Sequence, residues 1–464
     1  MTANAPVSES LGLYGVDASA DEQRTAFRDG RVPVAVYGMG KIGLPLSLVY
    51  AEATGAVTGV DIDSERVATL NRGVNPFDHE PGVSALLSNS VADGRFASTT
   101  DGEAAAAAAR LHVIVVPTVI DEADDPDLSA LEAAAETVRA GLDPGDTVFV
   151  ESTVPPGTCE DVIEPILTAG DREPGEFGLA HTPERTASGR ALRDIRGSYP
   201  KVVGGVDAES GRVAELVYGV LTDNDIVRTS DARTAECVKL FEGVYRDVNI
   251  ALANELATLT DEFGVDVVET IEAANTQPYC DILTPGAGVG GHCIPYYPHF
   301  LLAGIEGGAP LIRTAREVNE RMPGFVVETL VDALAADGGV EGATVALFGV
   351  AYRAGVPETR ASPAIDIAHR LDRLGVTVLA VDPILDELPV MPGERVSLDE
   401  ITGREVDAAV LVTAHDEFRS IDWTAFEREG PDGTRRGIPV VDGRQALDLS
   451  GTAHRVYTVG RGWS

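Results

Sequence analysis

Cys293 lies in the run Pro285-Gly286-Ala287-Gly288-Val289-Gly290-Gly291-His292-Cys293-Ile294-Pro295, a thiol closing a segment dense in glycine. Glycine at that density is expected where backbone approaches something very closely, and the reading that gives the thiol work makes that something a substrate carbon. A thiolate captures an aldehyde as a thiohemiacetal, which a nicotinamide cofactor oxidises to a thioester, so one cysteine takes an alcohol through to an acid. The competing reading is a buried cysteine beside a turn, because free cysteine is among the most buried residue types. His292 is read either as an activator of the thiol or as a histidine satisfied by backbone.

Three further groups carry chemistry. Gly38-x-Gly40-x-x-Gly43, with Lys41 and Ile42 inside it, falls between a strand pattern and a helix pattern, and Asp61 follows Gly43 by eighteen residues. That is close to the ~20 expected of a dinucleotide fingerprint, with glycines bringing a helix N-terminus up to the pyrophosphate and the acid accepting from ribose hydroxyls. A carboxylate there repels a 2′-phosphate, which favours NAD over NADP. Lys239, in Ala235-Glu236-Cys237-Val238-Lys239-Leu240, is one of three lysines in the chain, with Lys41 and Lys201. Where lysine is this rare, each survivor is expected to have a specific task, and a partly desolvated Lys239 can take the proton of a reacting hydroxyl or stabilise its alkoxide. Glu184, in His181-Thr182-Pro183-Glu184-Arg185, reads equally as a base activating water or as one more surface carboxylate. Thr153 follows a strand end, where open α/β sheets place their ligands.

The elements around these residues predict an α/β fold. Val32 to Tyr37, the helical Leu44 to Glu52 and Ala56 to Val60 form a βαβ unit, and strands at Leu111 to Val116 and Thr147 to Val150 alternate with helices such as Leu128 to Ala140. From Thr234 to Phe263 the pattern is one long helix, with Leu240, Val244, Val248, Leu252 and Leu256 on one slowly drifting face. Thr344 to Phe348, Pro363 to Leu374, Thr377 to Val381 with Asp382, and Ala408 to Val412 repeat the β-α-β-Asp pattern without the glycine fingerprint. The prediction is two Rossmann-like doubly wound parallel-sheet domains joined by a long central helix or helical domain. Residues 1–30 are an extension or short helix, 31–228 the NAD-binding domain, 229–335 the central helical domain with the cysteine loop, and 336–464 the second Rossmann-like domain.

Composition bounds the partners. The 464 residues hold 74 Asp+Glu against 36 Lys+Arg, a formal charge of −38. Such a chain repels nucleic acid and anionic lipid. Carboxylates spread over the whole length, with arginine in place of lysine, fit a very salty cytoplasm that screens the self-repulsion. Four cysteines without C-x-x-C spacing, no signal-peptide pattern and no apolar run near the ~20 residues of a membrane span predict a soluble, cytoplasmic, metal-free protein.

Taken together, Gly38 to Pro45, Glu80-Pro81-Gly82, Val116-Pro117-Thr118, Glu151 to Thr158, Pro183-Glu184-Arg185, the Lys239 helix, Gly290 to Pro295, Arg360-Ala361-Ser362-Pro363, Thr413-Ala414-His415 and Asp442-Gly443-Arg444 resemble the UDP-glucose/GDP-mannose dehydrogenase family. The resemblance implies two NAD-dependent oxidations at C6 of a nucleotide sugar, with Cys293 as nucleophile, Lys239 as acid/base group and Glu184 assisting hydrolysis. It puts Lys41, Ile42, Arg66, Thr118, Thr153 and Arg360 near NAD. Arg185, Arg246, Asn249, Gly290, Tyr352, Arg353 and Arg444 go near the UDP-sugar. It also implies a homodimer or higher oligomer paired through the central helix. The stretch Tyr245-Arg246-Asp247-Val248-Asn249 resembles the branch acting on UDP-N-acetylhexosamines, especially UDP-N-acetylmannosamine, as does Ser188 where the UDP-glucose enzymes tend to have a second glutamate.

Three positions depart from the family pattern: Gly243 where many relatives have asparagine, Tyr297 where many have aspartate, and Arg353 where a lysine is usual. The first two leave open which groups hold the oxyanion and position water, with the Tyr297 hydroxyl and Asn249 as candidates. Alternatives are a UDP-glucose or UDP-N-acetylglucosamine dehydrogenase and a non-catalytic binder of NAD and UDP-sugar. A one-step 3-hydroxyacid type enzyme is disfavoured by the cysteine loop and the second α/β half.

Overall fold

The computed structural model describes residues 11–77, 80–121, 123–170, 172–187, 189–305, 307–429 and 434–464. They form two compact units, Met1–Phe241 with His299–Ala303, and Glu242–Pro298 with Gly304–Ser464.

The first unit is built on an eight-stranded sheet in the order Ile226–Arg228, Lys201–Gly205, Gly178–His181, Thr147–Val150, Leu111–Ile114, Val34–Tyr37, Val57–Val60, Phe96–Thr99. Val34–Tyr37, Leu111–Ile114 and Thr147–Val150 are buried at every residue, as expected of parallel strands covered on both faces. One face packs around Leu13, Phe27, Tyr50, Phe149 and Tyr218, and the other around Leu131, Ala135, Val138, Ile163 and Leu167. The chain order reverses across Val34–Tyr37, which pairs with Val57–Val60 on one side and Leu111–Ile114 on the other. That is the switch point where such sheets bind ligands. The sheet is not wholly parallel: Gly178–His181 meets Lys201–Gly205 antiparallel.

Residues after Leu11 are not a loose extension. Ser19 and Glu22 form a capping box for the helix Ala20–Arg28, which sets Ala26 and Phe27 into the core, and Gln23 Nε2 donates to Leu13 O at 2.9 Å.

In the second unit seven strands run in the order Glu394–Arg395, Thr377–Val381, Thr344–Phe348, Ala408–Leu411, Pro439–Asp442, Arg455–Thr458, Gly462–Trp463, the last pair antiparallel. Asp382, the counterpart of Asp61, is satisfied internally. It accepts from the backbone N–H of Val350 and Ala351 at 2.8 Å each and pairs with His415 at 3.3 Å.

The long helix differs from its sequence expectation in two ways. It spans Ala232–Thr258 and breaks before a separate turn, Thr260–Phe263. The Thr258 and Thr260 hydroxyls donate to Glu255 O and Ala257 O at 2.8 Å each, competition with the helical ladder that threonine supplies readily. Its inward face in the second unit is also not the Val248, Leu252, Leu256 stripe. Leu252 is exposed, Val248 and Leu256 are half-buried, and the buried positions are Gly243, Asp247, Ala251, Ala253, Asn254 and Ala257. Polar bonding holds that face: Arg316 Nη1 reaches Asp247 Oδ1 at 2.9 Å, Asn319 donates to Asp247 Oδ1 at 2.8 Å, and Asn254 donates to Asn319 Oδ1 at 2.8 Å. A hydrophobic period misses a face whose burial rests on polar and ionic contacts, a network that still leaves Asp247 Oδ2 without a hydrogen bond. Among the described residues no helix is long and apolar enough to cross a membrane.

Candidate active site

In the first unit the strand Val34–Tyr37 runs into the glycine turn and then into the helix Gly43–Thr54. Each glycine has its own reason. Gly38 sits at φ +99°, where a side chain is strained, and a Cβ on it would meet Val115; a Cβ on Gly43 would strike the Gly38 carbonyl. Gly40 has open space where its Cβ would be, the room a pyrophosphate needs. The helix start has no side-chain cap and no acid in its first turn, so its positive end suits an anion. Asp61, almost fully buried, accepts from Met39 N at 2.9 Å and Asp63 N at 2.9 Å and pairs with Arg66 Nη1 at 2.8 Å. Arg66 is thereby committed to the acid instead of offering a free cation to a 2′-phosphate. Ile62 is 100% exposed beside it, an apolar surface suited to the face of a base that the sequence reading had not singled out. These features fit NAD. Lys41 is exposed and Ile42 half-buried within the turn. Thr118 Oγ1 donates to Thr153 O at 2.7 Å, and Ser152 Oγ bridges the Val116 N–H at 3.0 Å and carbonyl at 2.8 Å, tying the C-terminal ends of two neighbouring strands together.

Lys239 is buried on its helix. Its Nζ donates to the Glu184 carbonyl and pairs with Glu184 Oε1 at 3.1 Å, while Glu184 Oε2 accepts from Thr186 N at 2.9 Å and Thr186 Oγ1 at 2.8 Å. Burial alone would raise the Glu184 carboxyl, but the Lys239 charge and the Thr186 hydrogen bonds outweigh it and hold Glu184 below the usual carboxylate range. A carboxylate so placed is a weak base and a good orienting anion. Arg185 donates to Pro200 O at 2.8 Å and lies 5.1 Å over the Tyr199 ring. Ser188 lies outside the described residues.

Sequence reading left a second, half-buried lysine, Lys201, without a role. Its Nζ bonds both oxygens of buried Glu151, at 3.0 and 2.9 Å, and sits 4.3 Å above the Tyr218 ring. The scarcity of lysine was the available signal.

Nearby, Cys159, His181 and Glu236 are buried with donor atoms within 4.8 Å of one another. Both Glu236 oxygens are taken by backbone, from Gly157 N and Cys159 N, so the group reads as an anchor for the turn at Cys159–Ile163. His181 has neither ring nitrogen hydrogen-bonded. Burial, with the charges of Lys201 and Lys239, lowers its pKa from 6.5 to about 3. Between those values the unfolded chain binds a proton that the folded chain refuses. The stability from neutral His181 is therefore whole above pH 6.5 and is lost as pH falls toward about 3. His181→Phe is expected to flatten the decline of denaturant midpoints over that window; a wild-type slope in the variant would show that another group drives it.

In the second unit Cys293 is exposed and opens the helix Cys293–Leu302, with all four cysteines free thiols. The buried-cysteine reading is thereby excluded for Cys293, whereas Cys159 fits it. His292 Nε2 lies 3.2 Å from Glu358 Oε1, so its partner is a carboxylate and not backbone. The expectation for the glycines is corrected: their close approach is to protein. A Cβ on Gly290 would lie 2.8 Å from Tyr352 Cβ and 2.9 Å from Ala361 O. On Gly291 it would lie 2.8 Å from the Tyr352 ring, on Gly288 3.0 Å from Pro363, and on Gly286 2.6 Å from Arg444 Nη1. Arg444 donates to Val412 O at 2.7 Å and Gly288 O at 3.4 Å, and Gly291 N donates to Arg360 O at 2.9 Å. Tyr352, Arg360 and Arg444 thus brace the loop that presents the thiol. Arg353 and Arg360 are exposed, with Arg360 Nε 3.8 Å from Glu358.

Arg246 is exposed on the long helix. Asn249 is not free to hold an oxyanion: its amide donates to Asp281 O at 2.6 Å and accepts from Leu283 N at 2.9 Å. Gly243 and Tyr297 prove to be one steric unit. A Cβ on Gly243 would lie 2.8 Å from Tyr297 Cγ and 3.0 Å from its Cβ, and closer still to Cδ2.

Residues 32–222 match the NAD binding domain of the UDP-glucose/GDP-mannose dehydrogenase family, 233–321 its central domain and 346–449 its UDP binding domain. The UDP-N-acetyl-D-mannosamine dehydrogenase of Pyrococcus horikoshii is 37% identical over 431 residues, covering 92% of this chain and 99% of that protein. The NDP-N-acetyl-D-galactosaminuronic acid dehydrogenase of Ralstonia nicotianae is 37% identical over 400 residues, 84% and 92% of the two chains. The solved structure of the UDP-D-ManNAc dehydrogenase from Pyrococcus horikoshii is similar with a TM-score of 0.82 at 36% identity, covering 93% and 100%.

Proposed function

The chain belongs to the UDP-glucose/GDP-mannose dehydrogenase family, and on that footing we propose that it oxidises the C6 hydroxyl of a UDP-N-acetylhexosamine, UDP-N-acetyl-D-mannosamine above all, to the uronic acid. The observation that carries the reading is the exposed Cys293 thiol at a helix start within the family's cysteine loop. NAD, when bound at the fingerprint turn, accepts a hydride in each of the two oxidations. Lys239, in its neutral form, takes the hydroxyl proton in the first, and the Glu184 carboxylate and carbonyl stabilise the ammonium that results. The Cys293 thiolate adds to the aldehyde, and the thiohemiacetal it forms becomes a thioester in the second. Water held beside Glu184 then releases the acid and regenerates the thiol. The charge state of Glu184 favours orienting that water over deprotonating it unaided.

We assign NAD binding to 31–228 and UDP-sugar recognition to 336–464, with the central segment 229–335 carrying the thiol; the spans of the three family matches support this. Arg246, Arg353 and the bracing Arg444 are the basic residues assigned to the substrate side, and Thr118 and Thr153 to the cofactor side. A homodimer or higher oligomer is supported by Phe241, Tyr245 and Leu252, all exposed on Ala232–Thr258. The carboxylate excess supports a high-salt cytoplasm as the working environment.

The test is NADH release from a panel of UDP-sugars in molar salt. Two NADH per sugar with UDP-N-acetyl-D-mannosamine, and slower release with UDP-glucose and the gluco and galacto N-acetyl epimers, is the expected result. One NADH per sugar rejects the four-electron reading, and a faster epimer replaces the assigned substrate.

A further inference from the structure

Glu184 serves Lys239 twice, through its carboxylate and through its backbone carbonyl. A carbonyl cannot be aimed by rotating a side chain, so the turn Thr182-Pro183-Glu184 must itself be held. Pro183 has no N–H with which to hold it.

Lys201 supplies that hold. Its Nζ donates to Thr182 O at 2.8 Å and to Pro183 O at 3.1 Å, the two carbonyls immediately before Glu184. The same ammonium bonds both oxygens of Glu151, which accepts from Thr182 Oγ1 at 2.8 Å and from the Tyr218 hydroxyl, itself bonded by Tyr50 at 3.3 Å. Both ends of the ion pair therefore grip the Thr182 residue. The pair is largely buried, with side-chain exposures of 15% for Lys201 and 1% for Glu151. Burial draws the Lys201 ammonium below its ordinary range even with Glu151 against it, the mark of a charge kept indoors at a cost. A cavity of about 30 Å³ borders the group, lined by Ile42 of the fingerprint turn with Glu151, Glu184, Arg185, Lys201 and Tyr218. A lysine costly to bury, in a chain with three lysines, asks for more than a structural tie.

We propose that Lys201, clamped by Glu151, is a positioning residue for the oxidation: it fixes the Thr182-Pro183-Glu184 turn so that Glu184 presents carboxylate and carbonyl together to Lys239. The inference rests on Lys239 being the acid/base group. Lysine is required in place of arginine because one tetrahedral ammonium must serve two carbonyls and a carboxylate from a single point, which a planar fork does not do.

The test is a cycle on the full-length protein in molar salt. Lys201→Met alone strands a buried carboxylate, so the change used is Glu151→Gln with Lys201→Met, which removes both charges and keeps volume. The double change is expected to lower kcat roughly 10- to 100-fold, the scale of a misplaced catalytic group. The dissociation constant of NADH, read by fluorescence, should stay within about twofold of wild type, since the fingerprint turn is untouched. In a Lys239→Met background the double change should lower kcat no further, because positioning has no group left to position. An unchanged kcat, or losses that multiply in the Lys239→Met background, overturns the inference and leaves Lys201 structural. If Lys239→Met itself retains wild-type kcat, the acid/base reading is what fails, and the inference goes with it.

Discussion

Cys293→Ala is expected to abolish formation of the uronic acid while leaving the protein folded and able to bind NAD. Without sulfur the aldehyde has no covalent tether, so the second oxidation loses its thiohemiacetal and the final step its thioester. Removal of a nucleophile that acts as one unit with its partners typically costs about 10³- to 10⁶-fold, and acid yield should fall on that scale. The control on folding is favourable. Cys293 is exposed, and truncating an exposed side chain shifts stability by about 0.5 kcal/mol or less, so lost activity cannot be attributed to lost structure. NADH fluorescence titration should match wild type, because the substitution leaves every residue of the fingerprint turn in place. Acid formed by the alanine variant at the wild-type rate would remove the thioester route altogether.

How legible this was in the sequence depended on the kind of signal. The parallel strands read correctly because burial on both faces demands unbroken apolar runs such as Thr147–Val150 and Thr344–Phe348. Asp61 could be placed at the end of the strand Val57–Val60 because a fingerprint fixes residue type, spacing and local structure at once. The long helix read badly on its inner face, since Asp247 and Asn254 are buried there in a polar chain through Asn319, and polar residues leave no hydrophobic period. The glycines of the cysteine loop were legible as a demand for close approach, but not as to what: Tyr352, Pro363 and Arg444 come from far along the chain. Lys201 stood out only by rarity, because its contacts with Glu151, Thr182 and Pro183 span up to fifty residues of sequence.

Gly243→Ala is the second change with a large expected effect, and its sign runs against helix propensity. In a helix interior, alanine is ordinarily favoured over glycine by about 1 kcal/mol. Here the new methyl would lie under 3 Å from Tyr297 Cγ, at the root of a ring that packs with 8% exposure and cannot swing away from its own Cβ. Overpacking of that kind costs about 1–3 kcal/mol and forces the backbone or the rotamer to move, so the steric term wins. Gly243 stands one turn beyond Lys239 on its helix, and Tyr297 one turn beyond Cys293 on its own. The strain therefore falls on the two helices that carry the proposed catalytic residues, and kcat should drop by about 10²-fold. Tyr297→Ala alone should also destabilise, by leaving a cavity worth about 3–5 kcal/mol by analogy with other aromatic truncations. The combination is the decisive measurement. If the departure from asparagine and aspartate is a single exchange of volume, Gly243→Ala with Tyr297→Ala should be more stable than the sum of the two losses allows, with a coupling of about 0.5–3 kcal/mol in denaturant midpoints. Tyr297→Phe, which keeps the ring and deletes only the hydroxyl, separates packing from chemistry. Retained stability with a slowed release of acid assigns the phenol a part in the hydrolytic step, whereas wild-type kinetics confine Tyr297 to filling the space that Gly243 vacates. Strict additivity in the Gly243 and Tyr297 cycle would mean that the two positions changed independently, and the steric account of the missing asparagine would be wrong.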